Sequence, residues 1–227
     1  MKSLHILHAE AAAGWGGQEI RVLQETLLLL ERGHRVSLVC QADSPLEERA
    51  RSIPHPQFHL VPISMKSALS LGIFMALYRY VSENNLDVIH THSSVDSWLG
   101  GLVGKVSGIP VVRTRHVSLP VKDFFPNHLL YSHIPRRILT SGSMVSDIVK
   151  RIRYVDSGNV VSIPAGVDLR RFNSDIAGEK IRKELKVNPD QILIGKIGVI
   201  RGWKGHNYFL EAIPLILKNI PDAKFVI

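Results

Sequence analysis

Short apolar runs alternate along this chain with longer segments of helical period. The runs fall near 4–9, 35–40, 58–61, 87–91, 110–114, 137–141 and 159–163, each about the length of a buried strand. Between the first two, Ile20, Leu23, Leu27 and Leu30 recur every three or four residues and Gly33 follows as a stop. That spacing predicts a helix over about 18–32. Further helices are expected at 66–84, 95–107, 126–134 and 142–152, each returning the chain so that the next strand lies parallel to the last. The rhythm implies βαβ units and a Rossmann-like, doubly wound parallel sheet.

After Pro164-Ala165-Gly166-Val167-Asp168 a charged stretch runs to about Lys186, ahead of a fresh apolar run from Ile192 to Ile200. The domain boundary is placed within 170–190. The first domain is taken as 1–175, and 176–227 as a linker and the first βαβ unit of a second α/β domain. A helix over Tyr208–Leu217 and a last run over Ala223–Ile227 complete that unit. One βαβ unit cannot cover its own sheet, so the second domain is expected to be incomplete.

Composition narrows the classes. Apolar residues make up 45% and charged residues 21%, which excludes a disordered or fibrous chain. The length of 227 residues suits one large α/β domain and part of another. The single cysteine, Cys40, cannot form an internal disulfide, and no secretory leader follows Met1, so a cytoplasmic protein is expected. The most apolar stretch, Ala68–Val81, is interrupted by Arg79 and is too short to span a bilayer. A net charge of +8 favours anionic partners such as nucleotide phosphates or an anionic membrane face.

Three motifs carry candidate chemistry. Gly14-Trp15-Gly16-Gly17-Gln18-Glu19 lies between the first strand and the first helix, where free backbone N–H groups and the helix dipole favour an anion and glycine admits it closely. It lacks the third glycine of the dinucleotide fingerprint and the Lys-Ser or Lys-Thr of a P-loop. Asp87-Val88-Ile89-His90-Thr91-His92-Ser93 ends a strand in two histidines on one face, suited to lining a ligand crevice. His116, in Arg113-Thr114-Arg115-His116, ends the following strand likewise. Two histidines fall short of the three or four ligands a metal requires, so no metal is expected.

Taken in order, Gly-Gly-Gln-Glu, Arg32-Gly33-His34-Arg35-Val36, Asp-Val-Ile-His-Thr-His, Ile163-Pro164-Ala165-Gly166-Val167-Asp168 with Phe172, and Trp203-Lys204-Gly205-His206 resemble glycosyltransferase family 4. The resemblance implies a GT-B fold, with an acceptor-binding amino-terminal domain and a carboxy-terminal domain that binds the sugar nucleotide. It implies sugar transfer with retention and no cofactor or bound metal. Gly16 and Gly17 would lie beside the donor phosphates, His116 near the transferred sugar, and Lys204 on the diphosphate. Val199 stands where the family has an arginine, and Arg201 is expected to substitute. Ala165 replaces the usual Asn of an "NGVD" run. Gln18, Glu19, His90, His92 and Ser93 are expected to line the acceptor side. The family's Glu-x7-Glu pair would fall beyond Ile227, so this chain alone is expected to be inactive.

The implied partners are a nucleotide-sugar donor and a saccharide or lipid-linked acceptor, used in cell-envelope synthesis. The aromatics of Lys122–Tyr131 and the cation-flanked helix Lys66–Arg79 are candidates for a lipid or the inner membrane face. The alternatives are a sugar-nucleotide epimerase, which needs carboxylates in the first-domain crevice, and a non-catalytic glycan-binding module. Nucleic acid is not expected, because basic residues and aromatics do not interleave on a stripe.

Overall fold

The computed structural model describes residues 2–227, apart from the side chain of Trp203. It divides into two compact units, one ending at Gly166 and the other running from Val167 to Ile227. In the first unit all seven expected runs are strands: β1 (His5–Glu10), β2 (Arg35–Gln41), β3 (Phe58–Ile63), β4 (Val88–Thr91), β5 (Val111–Arg115), β6 (Arg137–Thr140) and β7 (Val160–Ser162). They form one parallel sheet in the order β3-β2-β1-β4-β5-β6-β7. The winding reverses between β1 and β4, the point at which doubly wound sheets open a crevice at their carboxyl ends.

The helices are α1 (Gly17–Glu31), α2 (Pro45–Ala50), α3 (Leu71–Glu83), α4 (Ser94–Ser107), α5 (Phe125–His128), which continues into a π turn over Leu129–His133, and α6 (Ser143–Lys150). The short α2 was not expected, because six residues are too few to show a period. Its signal is local: the Ser44 hydroxyl accepts from the Glu47 N–H at 3.2 Å, and Pro45 opens the first turn. Helix α3 begins at Leu71 rather than near 66, because Ser70 caps it by accepting from the Ile73 N–H.

Two apolar layers enclose the sheet. Leu7, Ala9, Ile89 and Val111 pack with Leu99 and Val103 of α4 on one face. On the other, Leu38 and Cys40 pack with Val22 of α1 and with Leu46 and Ala50 of α2. Burial pushes the Cys40 thiol up to about 12, so it behaves as an inert small hydrophobe. Helix α4 lies unusually close to its surroundings. A Cβ at Gly104 would come within 2.4 Å of Val111 Cγ2, and one at Gly101 within 2.5 Å of Ile134 Cγ2, so only glycine fits.

The second unit contains α7 (Glu179–Glu184), β8 (Leu193–Gly195), a 3-10 turn over Gly202–Lys204, α8 (His206–Leu217) and β9 (Lys224–Val226). Strands β8 and β9 pair in parallel. Of the strand expected over 192–200, three residues pair, Leu193–Gly195 with Lys224–Val226; Ile197, Val199 and Ile200 are exposed. Among the described residues, no helix is long and apolar enough to cross a membrane.

Candidate functional site

Strand register decides which side chains meet at the switch point. His8 of β1 pairs with His90 of β4, which pairs with Val112 of β5. Side chains paired at one level in a parallel sheet share a face, and alternation carries that face to every second residue. His8, His90, His92, Thr114 and His116 therefore lie on the α1 face. Arg113 and Arg115 lie on the α4 face.

The α1 face holds a chain of imidazoles. His8 Nδ1 is 2.8 Å from His92 Nε2, and His92 Nδ1 is 3.2 Å from His116 Nε2. His90 Nε2 meets Thr114 Oγ1 at 2.6 Å, and its ring centroid is 4.2 Å from that of His92. Burial lowers His8 and His116 to about 4 and drives His90 and His92 well below the usual imidazole value. Neighbouring imidazoles and the Arg21 guanidinium push His90 and His92 the same way. All four are neutral at pH 7, and neutral imidazoles can pass one hydrogen bond along the row.

The acids nearby are committed to structure. Asp96 is fully buried; its carboxylate accepts from the His92, Ser93 and Ala11 N–H groups and the Ser93 hydroxyl, so it caps α4 and ties β1 to β4. Burial raises its pKa. Glu10, two residues past His8, is raised to about 8 by burial and by the neighbouring Asp96. It meets Gln18 Nε2 at 2.6 Å and the Ala12 N–H at 2.8 Å.

The α4 face is cationic. Arg113 is only 4% exposed and lies 4.2 Å from the Tyr131 ring centroid. The Tyr131 hydroxyl accepts from Arg113 Nη2 at 3.2 Å and from Arg115 Nη1 at 2.6 Å. Among the described residues, Arg113 Nε and Nη1 and Arg115 Nε have no partner. A buried guanidinium with unmet donors is unfavourable, and an anion relieves it. Both arginines line a cavity of about 160 Å³ with Gln18, His92, Ser93 and His116, and an adjoining one of about 230 Å³ with Lys122, Asn127 and Tyr131. A larger trough of about 850 Å³ lies at the amino ends of the strands, lined by Pro110, Arg136, Arg137 and Asn159. There the Arg137 guanidinium is already held by Asn159 Oδ1, so the smaller cavities at the carboxyl ends are the better site.

The expected residues divide accordingly. Gly16 is the N-cap of α1 and Gly17 its first residue; a Cβ at Gly17 would meet nothing within 4 Å, so its backbone lies open. Gln18, His92, Ser93 and His116 gather at the cavity. Glu19 turns back to accept from the Gly16 N–H at 2.7 Å, and His90 lies buried against Thr114. Arg201 and Lys204 belong to the second unit, where Arg201 is the N-cap of the Gly202–Lys204 turn. Sequence reasoning did not single out His8, Glu10, Arg113 or Arg115, and it raised Tyr131 only among the aromatics of Lys122–Tyr131 as a candidate for a lipid. The available signal was repetition: His8-x-Glu10, His90-x-His92 and Arg113-x-Arg115 each end a strand with polar residues two apart.

Residues 15–171 match the model for Glycosyltransferase Family 4. The chain is 29% identical over 253 aligned positions to the Escherichia coli UDP-Gal:alpha-D-GlcNAc-diphosphoundecaprenol alpha-1,3-galactosyltransferase, covering 100% of this chain and 63% of that protein. It thus spans less than two thirds of the length of that relative. A glycosyltransferase from Rickettsia africae superposes with a TM-score of 0.76 at 15% identity, over 99% of this chain and 68% of that one. Anabaena HepE, solved with UDP and glucose, superposes with a TM-score of 0.71 at 15% identity, over 93% and 58%. Both are GT-B structures and share this fold.

Proposed function

Because the chain belongs to glycosyltransferase family 4, we propose that the full-length protein moves a sugar, with retention, from a nucleotide-sugar donor to a lipid-linked acceptor that carries a diphosphate. The observation that carries the acceptor class is the pair Arg113, buried, and Arg115, half-buried, both with unmet N–H donors at a cavity that Lys122 also lines. Planar guanidiniums suit phosphate oxygens. Leu119, Phe124 and Phe125, all exposed beside that cavity's residues, suit the start of a polyprenyl chain at a membrane face. The name of the Escherichia coli relative specifies an acceptor of this chemistry.

In this reading the acceptor hydroxyl oxygen forms the new glycosidic bond as the nucleotide diphosphate leaves with the electrons of the old one and takes up the hydroxyl proton. The open backbone at Gly17, the first residue of α1, faces the departing phosphates. His116, neutral and hydrogen-bonded to His92, orients a sugar hydroxyl. No step calls for a metal or cofactor. Epimerase chemistry would need a free carboxylate pair, whereas Glu19 and Asp96 are engaged as helix caps.

The test is transfer by the full-length protein from a panel of UDP-sugars to polyprenyl-diphosphate-linked and free saccharides. The His116→Ala and Gly17→Leu variants should each lose about 10²- to 10³-fold in transfer with little change in melting temperature. Undiminished transfer in both variants removes the proposed site, and preference for free saccharides removes the acceptor class.

A further inference from the structure

We propose that His8, His90, His92 and Glu25 bind one divalent transition-metal ion, zinc above all, between the sheet and α1. One nitrogen from each histidine and one Glu25 oxygen all lie within 4.8 Å of one another. A tetrahedral zinc ion with bonds of about 2.0–2.1 Å sets its donors roughly 3.4 Å apart, so closure needs only modest side-chain rotation. Three imidazoles and one carboxylate suit zinc and do not suit magnesium or calcium, which take oxygen ligands.

A second observation points the same way. His8 is wholly buried, and its Nε2 has no partner among the described residues, so the polar cluster is incomplete as the protein alone builds it. The outer contacts that orient metal-binding imidazoles are present, Thr114 Oγ1 on His90 Nε2 and His116 Nε2 on His92 Nδ1, and the ion takes the place of the hydrogen bond between His8 Nδ1 and His92 Nε2. The opposing charge is Arg21, whose Nε sits 2.6 Å from Glu25 Oε1. Its Nη1 is anchored on the Ile163 carbonyl at 2.9 Å, so the guanidinium is held by two acceptors of its own. The sequence motif alone offers two ligands; the fold adds His8 from the neighbouring strand and Glu25 from the helix above.

The site shares the His92–His116 hydrogen bond with the transfer reading, so its test reads binding rather than turnover. Full-length protein stripped of metal with a chelator is titrated with zinc sulfate by calorimetry, and with cobalt(II) chloride by visible absorption. The expected result is one ion per chain at micromolar affinity or tighter, an intense tetrahedral cobalt spectrum, and a melting temperature that rises with zinc. Glu25→Gln, on a partly exposed helix position and close in shape, should weaken binding at least about tenfold and lose that spectrum. His92→Gln should do the same, while His133→Ala, on an exposed histidine outside the cluster, should bind as the parent does. Absence of zinc binding in the parent, or a Glu25→Gln variant with parental affinity and spectrum, overturns the proposal even if His92→Gln fails to fold.

Discussion

At the carboxyl ends of β4 and β5, the two faces of one sheet carry different chemistry. The α1 face is a row of imidazoles, neutral because burial lowers every one of them. The α4 face, one residue out of step, carries two guanidiniums that remain charged and have unmet donors. Alternation along β5 splits Arg113-Thr114-Arg115-His116 between these faces, and the 160 Å³ cavity at the strand ends is bordered by both. A sugar hydroxyl is served by neutral donors and acceptors, and a phosphate by fixed positive charge. The sheet offers both within one site by alternation alone.

Acid should break the comparison with the largest effect, because the imidazole face takes up several protons between pH 6.5 and 4. Its histidines have folded values below the unfolded value, so their stabilising contribution is complete above about 6.5 and is lost as pH falls towards 4. His8 and His116, each moved from 6.5 to about 4, account for about 3 kcal/mol apiece, and His90 and His92 add in the same direction. Glu10 opposes them. Raised from 4.5 to about 8, it favours the folded state increasingly as pH falls from 8 to 4.5 and offsets roughly one histidine, and Asp96 offsets a further part. Urea unfolding of the metal-free protein should therefore show a net loss of several kcal/mol between pH 6.5 and 4.5. A flat profile over that range would mean that the imidazoles are hydrated and charged in the folded protein.

The arginine face should respond in the opposite sense to losing its charge. Arg113→Met keeps the stacking bulk against Tyr131 and removes a buried cation that makes no direct salt bridge among the described residues, Asp96 acting on it at longer range. Stability should rise by about 1 kcal/mol, because the cost of burying the guanidinium outweighs the attraction of Asp96 and Tyr131. Unfolding midpoints at pH 7 check this, and a loss of stability would show that Tyr131 and Asp96 together compensate the guanidinium.

The framework was largely legible in the sequence, because each buried strand is a bounded apolar run and each long helix shows its period. Helix α2 was hidden by its length, since six residues show no period. The site was legible only in part. The Gly16-Gly17 loop and the His90-x-His92 pair announce themselves at strand ends. His8 lay concealed inside the first expected strand, since its meaning comes from pairing with His90, 82 residues away. Glu19 looked like a crevice residue, but it sits three positions after the N-cap, where a carboxylate is drawn to the helix's own N–H groups. Arg113 and Arg115 stood in the sequence only as neighbours of His116, and it is the strand register that puts them on the α4 face, Arg113 buried and Arg115 half-buried.

The central claim is that the carboxyl ends of β4 and β5 bind the phosphate-bearing part of an acceptor. It is tested most directly by titrating inorganic pyrophosphate into the full-length protein, with UDP in excess to occupy the donor side, and comparing the parent with an Arg113→Met, Arg115→Gln double variant. The account predicts saturable binding in the parent that weakens at least about tenfold in the variant, the loss expected for charge-assisted hydrogen bonds. Equal affinity in the two proteins would contradict it.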